Sequence, residues 1–258
     1  MNIFSTVYTI NEIKKAKFHE YQNKDIKVFY KTLKSNSSLD GYMGTRVDNK
    51  KEINIPIFTI NEQVWMSCTP MEMASHYVPI RKAKGKVGVG GLGMGYYILR
   101  IMNKKSVTNI DVYELNQDVI NTFKNEFSNR DGFEKINFIQ GDLFDNLIDT
   151  EYDFFYNDIY PQLGMEEAIE DMKNIVSNYK KIKVYHYWGY EFDFFDAIRN
   201  GSIFAVTKLF KDKVFLKVFN DWCEYTEKNY MQFENEFVKN LYNFQEENKS
   251  KLFDDLLF

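Results

Sequence analysis

Between Pro79 and Trp188, apolar runs of strand length alternate with amphipathic stretches of helix length. The runs KVGVG, NIDVYEL, INFIQ, YDFFYND and KVYHYW are interleaved with YYILRIMNK, QDVINTFKNEF and MEEAIEDMKNIVSNY. A strand that is apolar on both faces must be covered on both, and a helix between successive strands lets them lie parallel. Right-handed crossovers then leave few topologies. The pattern predicts an α/β fold: a Rossmann-type, doubly wound, mostly parallel sheet.

The flanking segments read differently. Residues 9–35 carry apolar side chains at Ile10, Ile13, Phe18, Tyr21, Ile26, Phe29, Tyr30 and Leu33, a loose helical spacing that predicts one or two helices ending in the turn-prone SNSSLDG. INIPIFTI and QVWMS, separated by Asn61-Glu62, predict a β-hairpin. Thr69-Pro70-Met71-Glu72 opens a helix, with a capping hydroxyl, proline at the first position and an acid in the first turn. That helix is expected to end near Tyr77–Pro79. Beyond the sheet, IFAVTKLFKDKVFLKVF predicts an edge hairpin and 221–247 a closing helix. The expected organisation is therefore an extension of helices plus β-hairpin over 1–79, packed on the Rossmann-type domain over 80–258.

Composition bounds the partners. A formal charge of −4 carries no electrostatic footprint for the phosphate backbone, so nucleic acid is disfavoured as a partner. Cys68 and Cys223 lie too far apart in sequence for a CxxC pair or a zinc ligand set, which predicts no metal and a reducing, cytoplasmic setting. The first residues, MNIFSTVYTINEIKKAK, do not read as a secretory leader, and no 18-residue apolar window predicts a membrane span. Oligomeric state stays open, a homodimer included.

The densest chemical signal is Lys86-Val-Gly-Val-Gly-Gly-Leu-Gly-Met-Gly95, a glycine-rich turn between a strand and a helical run. Glycine permits positive φ and close backbone approach, and a following helix start offers free N–H groups to an anionic or polar ligand. It is not a Walker A loop, because Gly85-Lys86 precedes the strand and Val87 follows the lysine. Gly88, Gly90 and Gly93 match GxGxxG, a phasing that would end the first strand within the polar RKAKGKV. Gly91, Gly93 and Gly95 match GxGxG with the strand ending at Gly90, and this phasing is preferred. A tight turn with no ligand is the plain alternative.

Acids at the ends of the next strands weigh against that alternative. Glu114 closes the second strand nineteen residues after Gly95, where a carboxylate accepts hydrogen bonds from both hydroxyls of a ribose. Asp142 follows the third strand, with Leu143 beside it, and Asp158 follows the fourth in YDFFYNDIYP. Each of Glu114 and Asp142 has a bland reading as a helix cap. Asp158 emerges at the carboxyl edge of the sheet, where it can orient an amine, accept its proton or hold the loop.

GxGxG followed by these acids resembles the class I S-adenosylmethionine-dependent methyltransferases. The resemblance implies S-adenosylmethionine as cofactor, with Gly91, Gly93 and Gly95 beside its amino-acid portion, Glu114 on the ribose, Asp142 accepting from the adenine amino group and Leu143 near the ring. From Ile55 to Pro161 the order of motifs is similar to the spermidine synthase (polyamine aminopropyltransferase) branch: hairpin, Glu72-Met-Ala-Ser-His76-Tyr-Val-Pro79, glycine loop, Glu114, Gly141-Asp142 and YDFFYND. That resemblance implies decarboxylated S-adenosylmethionine as the alternative cofactor, Asp158 as the catalytic group, and Glu72 and His76 on the helix beside the substrate cleft. Two positions depart from that branch: its glycine loop carries an acid, as in GGGDG, and a second aspartate stands where this chain has Tyr160.

The remaining candidates have strong structural readings. His186 lies in the fifth strand, as base or, more simply, as a hydrogen-bonded core histidine. Tyr156, Tyr160, Tyr185, Tyr187, Trp188 and Tyr190 gather after strands four and five, either as core or as the wall of a substrate pocket. The preferred function is methyl transfer to a small molecule or a protein side chain, with Asp158 facing the acceptor and Tyr160 beside it. Aminopropyl transfer and a non-catalytic binding protein of the same fold are the alternatives.

Overall fold

The computed structural model describes residues 5–42, 46–147, 150–179 and 181–190. The expected edge hairpin at 203–219, the expected helix at 221–247 and Cys223 lie outside them. The chain divides into two compact units, Met1–Gln162 with Ser177–Trp188, and Leu163–Val176 with Gly189–Phe258. Among the described residues, no helix is long and apolar enough to cross a membrane.

The first unit opens with α1 (Thr6–Ala16), which Ser5 caps by accepting the Tyr8 N–H at 3.2 Å. The helix expected across 9–35 stops there. Residues 21–33 form strands β1 (Tyr21–Asn23) and β2 (Ile26–Leu33), joined by Lys24-Asp25. The loose helical spacing misled because Ile26 and Val28 are buried with Lys27 exposed between them, a period of two in a β-branched and aromatic stretch. SNSSLDG turns at Asn36 (φ 58°) and then continues as β3 (Ser37–Asp40), paired with β4 (Arg46–Asn49).

The hairpin expected from INIPIFTI and QVWMS is β5 (Ile53–Ile60) and β6 (Gln63–Ser67). Asn61 and Glu62 both have positive φ, 50° and 63°, as a two-residue turn matched to strand twist requires. These strands complete an antiparallel sheet of order β1-β2-β5-β6. Thr69 then caps α2 (Pro70–Ser75), its hydroxyl accepting the Glu72 N–H at 3.3 Å. The helix breaks at His76 and resumes as α3 (Tyr77–Lys82), which carries Pro79 in its first turn, where the missing N–H is not needed.

The second sheet is parallel and contains β7 (Gly85–Gly90), β8 (Val107–Glu114), β9 (Ile136–Gln140), β10 (Phe154–Asn157) and β11 (Tyr185–Tyr187) in the order β11-β10-β7-β8-β9. The first strand of the series is central. The chain winds outward through β8 and β9, then returns to β10 and β11 on the other side, so the order reverses between β7 and β10. In such a sheet ligands bind beyond the carboxyl ends of the strands at that reversal. The connecting helices are α4 (Tyr96–Ile101), α5 (Gln117–Phe127) and the short α6 (Leu143–Asn146). Val87, Val89, Ile110 and Val112 are buried in the middle of the sheet, as near-continuous apolar strands must be. Most of α7 (Glu166–Asn178) belongs to the second unit; it has two acids in its first turn and a Lys173–Glu170 ion pair.

One buried network ties α1 to α4. The Glu12 carboxylate, 1% exposed, accepts from Tyr96 Oη at 2.8 Å and from Lys15 Nζ at 2.8 Å and bonds Arg100 Nε. Burial alone would raise the Glu12 carboxyl, yet these donors hold it below the ordinary range. Tyr96 directly follows the glycine run, so the extension is fastened at the loop that opens the site.

Candidate functional site

Register across the parallel sheet aligns the ends of its strands. Gly90 pairs with Tyr113 on one side and with Asn157 on the other, and Glu114 pairs with Gln140. The next residues along each chain, Gly91, Gly141-Asp142 and Asp158, therefore leave the sheet along one edge together with Glu114. They enclose a cavity of about 410 Å³, a volume within the range that binds small molecules.

The glycine loop forms one wall. Gly91, Gly93 and Gly95 all have positive φ, at 84°, 54° and 85°. The strand runs through to Gly90, so the chain follows the GxGxG phasing and not GxGxxG. Gly91 N–H donates to the Tyr113 carbonyl at 2.8 Å, and Asp158 N–H donates to the Gly90 carbonyl at 2.7 Å. The turn is thereby held against both neighbouring strands.

Glu114 is bound into that loop. Its Oε2 accepts the Leu92 N–H at 3.0 Å and its Oε1 the Asn116 N–H at 2.8 Å. Burial raises its carboxyl, and the backbone donors oppose the rise. Asp142 caps α6, its Oδ1 accepting the Phe144 N–H at 2.8 Å, so the capping role and a place on the cavity wall coexist. Leu143 is buried beside it. Leu115 lines the same end and is 67% exposed.

The other end of the cavity is built from α2 and the β10 edge. His76 is 1% exposed, and both ring nitrogens face acceptors: Nδ1 lies 2.9 Å from the Glu72 carbonyl and Nε2 3.1 Å from Asp158 Oδ2. Satisfying both requires a proton on each nitrogen. Burial works against the charged ring, but Asp158 and Glu72 outweigh it and the His76 imidazole is raised. Glu72 Oε2 accepts from Ser67 N at 2.9 Å and Ser67 Oγ at 3.2 Å, and burial pushes its carboxyl up to about 7.

A pH prediction follows from Glu72. A folded-state value of about 7 against an ordinary 4.5 means that the folded chain binds more protons than the unfolded chain between those limits. Stability then falls as pH rises through that window, by roughly 3 kcal/mol in all. His76 acts in the same direction: its contribution is present below the ordinary histidine range and is lost as pH rises through the raised value. Urea melts from pH 4.5 to 7.5 are expected to lose most of the slope in Glu72→Gln; an unchanged slope would remove Glu72 as its source.

Of the residues expected at the site, Gly91, Gly93, Glu114, Asp142, Leu143, Glu72, His76, Asp158 and Tyr160 line this one cavity. Gly95 does not; it starts α4 with the Phe123 ring filling the space of a side chain. Trp188 is on the wall, its indole donating to Ser75 Oγ at 2.8 Å, whereas Tyr156, Tyr185 and Tyr187 are buried in the sheet. His186 is a core residue, packed on Phe154 at 5.3 Å and driven well below the ordinary range by burial. Trp65, Tyr97 and Leu115 also line the cavity without having been singled out in the sequence. Leu115 left a signal, an apolar residue directly after the strand-end acid. Trp65 and Tyr97 sit in patterns that core residues also satisfy.

The fold and the site thus define an α/β chain with a cavity of small-molecule size at the sheet reversal. No protein-family model matches it, and no curated protein is similar to it. Solved structures do align with part of it. They include the glycopeptide N-methyltransferase MtfA complexed with S-adenosyl-L-methionine, at 17% identity over 33% of this chain and 34% of that one, with a TM-score of 0.29. A DhpI–SAM–HEP complex aligns at 17% identity over 40% and 46%, with a TM-score of 0.32. Spermidine synthase from Thermotoga maritima aligns at 15% identity over 50% and 48%, with a TM-score of 0.30. The chain spans less than half the length of each of these proteins.

Proposed function

We propose that the chain is an S-adenosylmethionine-dependent transferase that delivers a methyl group to an amine on a small molecule or a protein side chain. The observation that carries this reading is the shared cavity, in which Glu114 and Asp142 occupy one end and Asp158 the other. The residues suit the donor. Gly93 leaves room for close approach, since a Cβ there would touch only Met66 Sδ at 3.4 Å. Glu114 offers a ribose-binding carboxylate next to the exposed Leu115, and Leu143 offers an apolar face for a base.

When bound, such a donor supplies an electrophilic carbon on a sulfonium, whose C–S bond breaks to leave a neutral thioether. The chain then has to orient the nucleophile, exclude water and take up a proton. Asp158 is suited to accept the proton that the amine nitrogen loses as its lone pair forms the new bond to carbon. His76, bonded to Asp158 Oδ2 and to the Glu72 carbonyl, holds that carboxylate in place.

A second reading is supported by the cavity's charges. Among the described residues that line it there is no lysine or arginine to receive a donor carboxylate. This favours decarboxylated S-adenosylmethionine and aminopropyl transfer. Calorimetric titration with S-adenosylmethionine, its decarboxylated form, methylthioadenosine and NAD separates the readings. An adenosyl sulfonium is expected to bind, and Glu114→Ala to weaken it about 10- to 100-fold, as loss of hydrogen bonds to a charged group predicts. Binding of NAD alone, or of none of the four, would overturn both.

A further inference from the structure

The chemistry of the Asp158 end, together with the transferase reading on which this step rests, points to a narrower acceptor. We propose that the acceptor is a monoamine carried on a flat, apolar body, held by one carboxylate and a set of aromatic walls, and not a diamine or an anion.

Charge makes the first selection. Among the described residues, the acidic and histidine side chains of the lining are Glu72, Glu114, Asp142, Asp158 and His76, with no lysine or arginine beside them. His76 is committed on both nitrogens to the Glu72 carbonyl and to Asp158. An anionic acceptor would enter a cavity of carboxylates with no cation left to meet it, and would lose its hydration without compensation.

The number of anchors makes the second. Glu114 and Asp142 stand at the other end of the cavity, where the transferase reading assigns them to the donor. Glu72 is held by both donors of Ser67 and is 8% exposed. Its raised carboxyl makes it a weak counter-charge near neutrality. Asp158 is different: its side chain is 24% exposed, His76 binds Oδ2, and Oδ1 accepts no hydrogen bond among the described residues. One ammonium has a partner there, and a second would face rings.

Those rings make the third. Tyr97 lies 6.4 Å from the His76 ring, with its phenol donating to the Pro79 carbonyl at 3.3 Å. The Tyr160 hydroxyl accepts from Asn157 Nδ2 at 2.9 Å. Trp188 is fixed at both ends, its backbone N–H on the Asn157 carbonyl at 2.9 Å and its indole on Ser75. Three anchored aromatic side chains beside a single carboxylate are suited to a planar apolar body.

The full chain, titrated calorimetrically at neutral pH with 2-phenylethylamine, putrescine and phenylacetate, tests this without any turnover. Phenylethylamine is expected to bind at least about 10-fold more tightly than putrescine, by loss of one uncompensated ammonium, and phenylacetate is expected not to bind. Asp158→Asn should weaken both amines, while Trp188→Leu should weaken phenylethylamine by a larger factor than putrescine. Putrescine binding as tightly as phenylethylamine, phenylacetate binding comparably, or no heat with either amine would overturn the proposal. Titration of the same protein with S-adenosylmethionine and its decarboxylated form separates the two claims. Amine binding without either sulfonium would sink the transferase reading alone, and sulfonium binding without amine would sink this one.

Discussion

Gly91→Ala is expected to abolish donor binding and to destabilise the first unit by roughly 3 kcal/mol or more, because two costs coincide at one Cβ. The residue has φ 84°, a conformation that L side chains resist, and the added carbon would collide with the Asp158 carbonyl oxygen. Neither partner can yield cheaply. Gly91 N–H is bonded to Tyr113 and Asp158 N–H to the Gly90 carbonyl, so relief requires opening β7 from a neighbouring strand. Gly93→Ala is the control. Its φ of 54° carries a similar backbone strain, but its Cβ would meet only Met66 Sδ. It should cost about 1–2 kcal/mol while still narrowing the cavity. Thermal melts and donor titrations of the two variants check the contrast; equal destabilisation would show that backbone strain alone sets the cost at Gly91.

Asp158→Asn is expected to reduce turnover by about 10²–10⁴-fold, the usual contribution of a positioned general base. The measurement is transfer of labelled methyl from S-adenosylmethionine to 2-phenylethylamine, with donor affinity followed in parallel. Donor affinity should change little, because Glu114 and Asp142 stand at the other end of the cavity and the substitution leaves the Asp158 N–H on the Gly90 carbonyl. An effect on His76 accompanies the loss and needs no substrate. Burial pulls that imidazole down, and the charge and hydrogen bond of Asp158 raise it. With asparagine at 158 only Glu72 still opposes burial, so the His76 titration followed by imidazole NMR should move to lower pH. Retained turnover would remove Asp158 from the chemistry, and an unmoved His76 would remove the pairing.

Much of the parallel sheet was legible because its strands are apolar on both faces and its helices amphipathic, signals that survive without tertiary context. The hairpin at Asn61-Glu62 and the cap at Thr69 were legible for the same reason: short-range geometry dictates the residue types. Residues 21–33 were not. Their apolar spacing suits a helix loosely and a strand well, and only pairing of β2 with β5 along eight residues decides between them.

At the site, the sequence by itself determined which residues stand at strand ends: Gly91, Glu114, Asp142 and Asp158 each follow an apolar run of strand length. What it left open was which ends are neighbours, since strand order is set by long-range packing. The order β11-β10-β7-β8-β9 brings Asp158 against the glycine loop, although 67 residues separate the two positions in sequence. Only the tertiary structure joined His76 to Asp158, across 82 residues, and turned Tyr97, Tyr160 and Trp188 onto the same cavity. An aromatic residue in a strand or helix looks alike in sequence whether it fills the core or walls a pocket. The difference lies in what packs opposite it, and that is decided when distant segments meet.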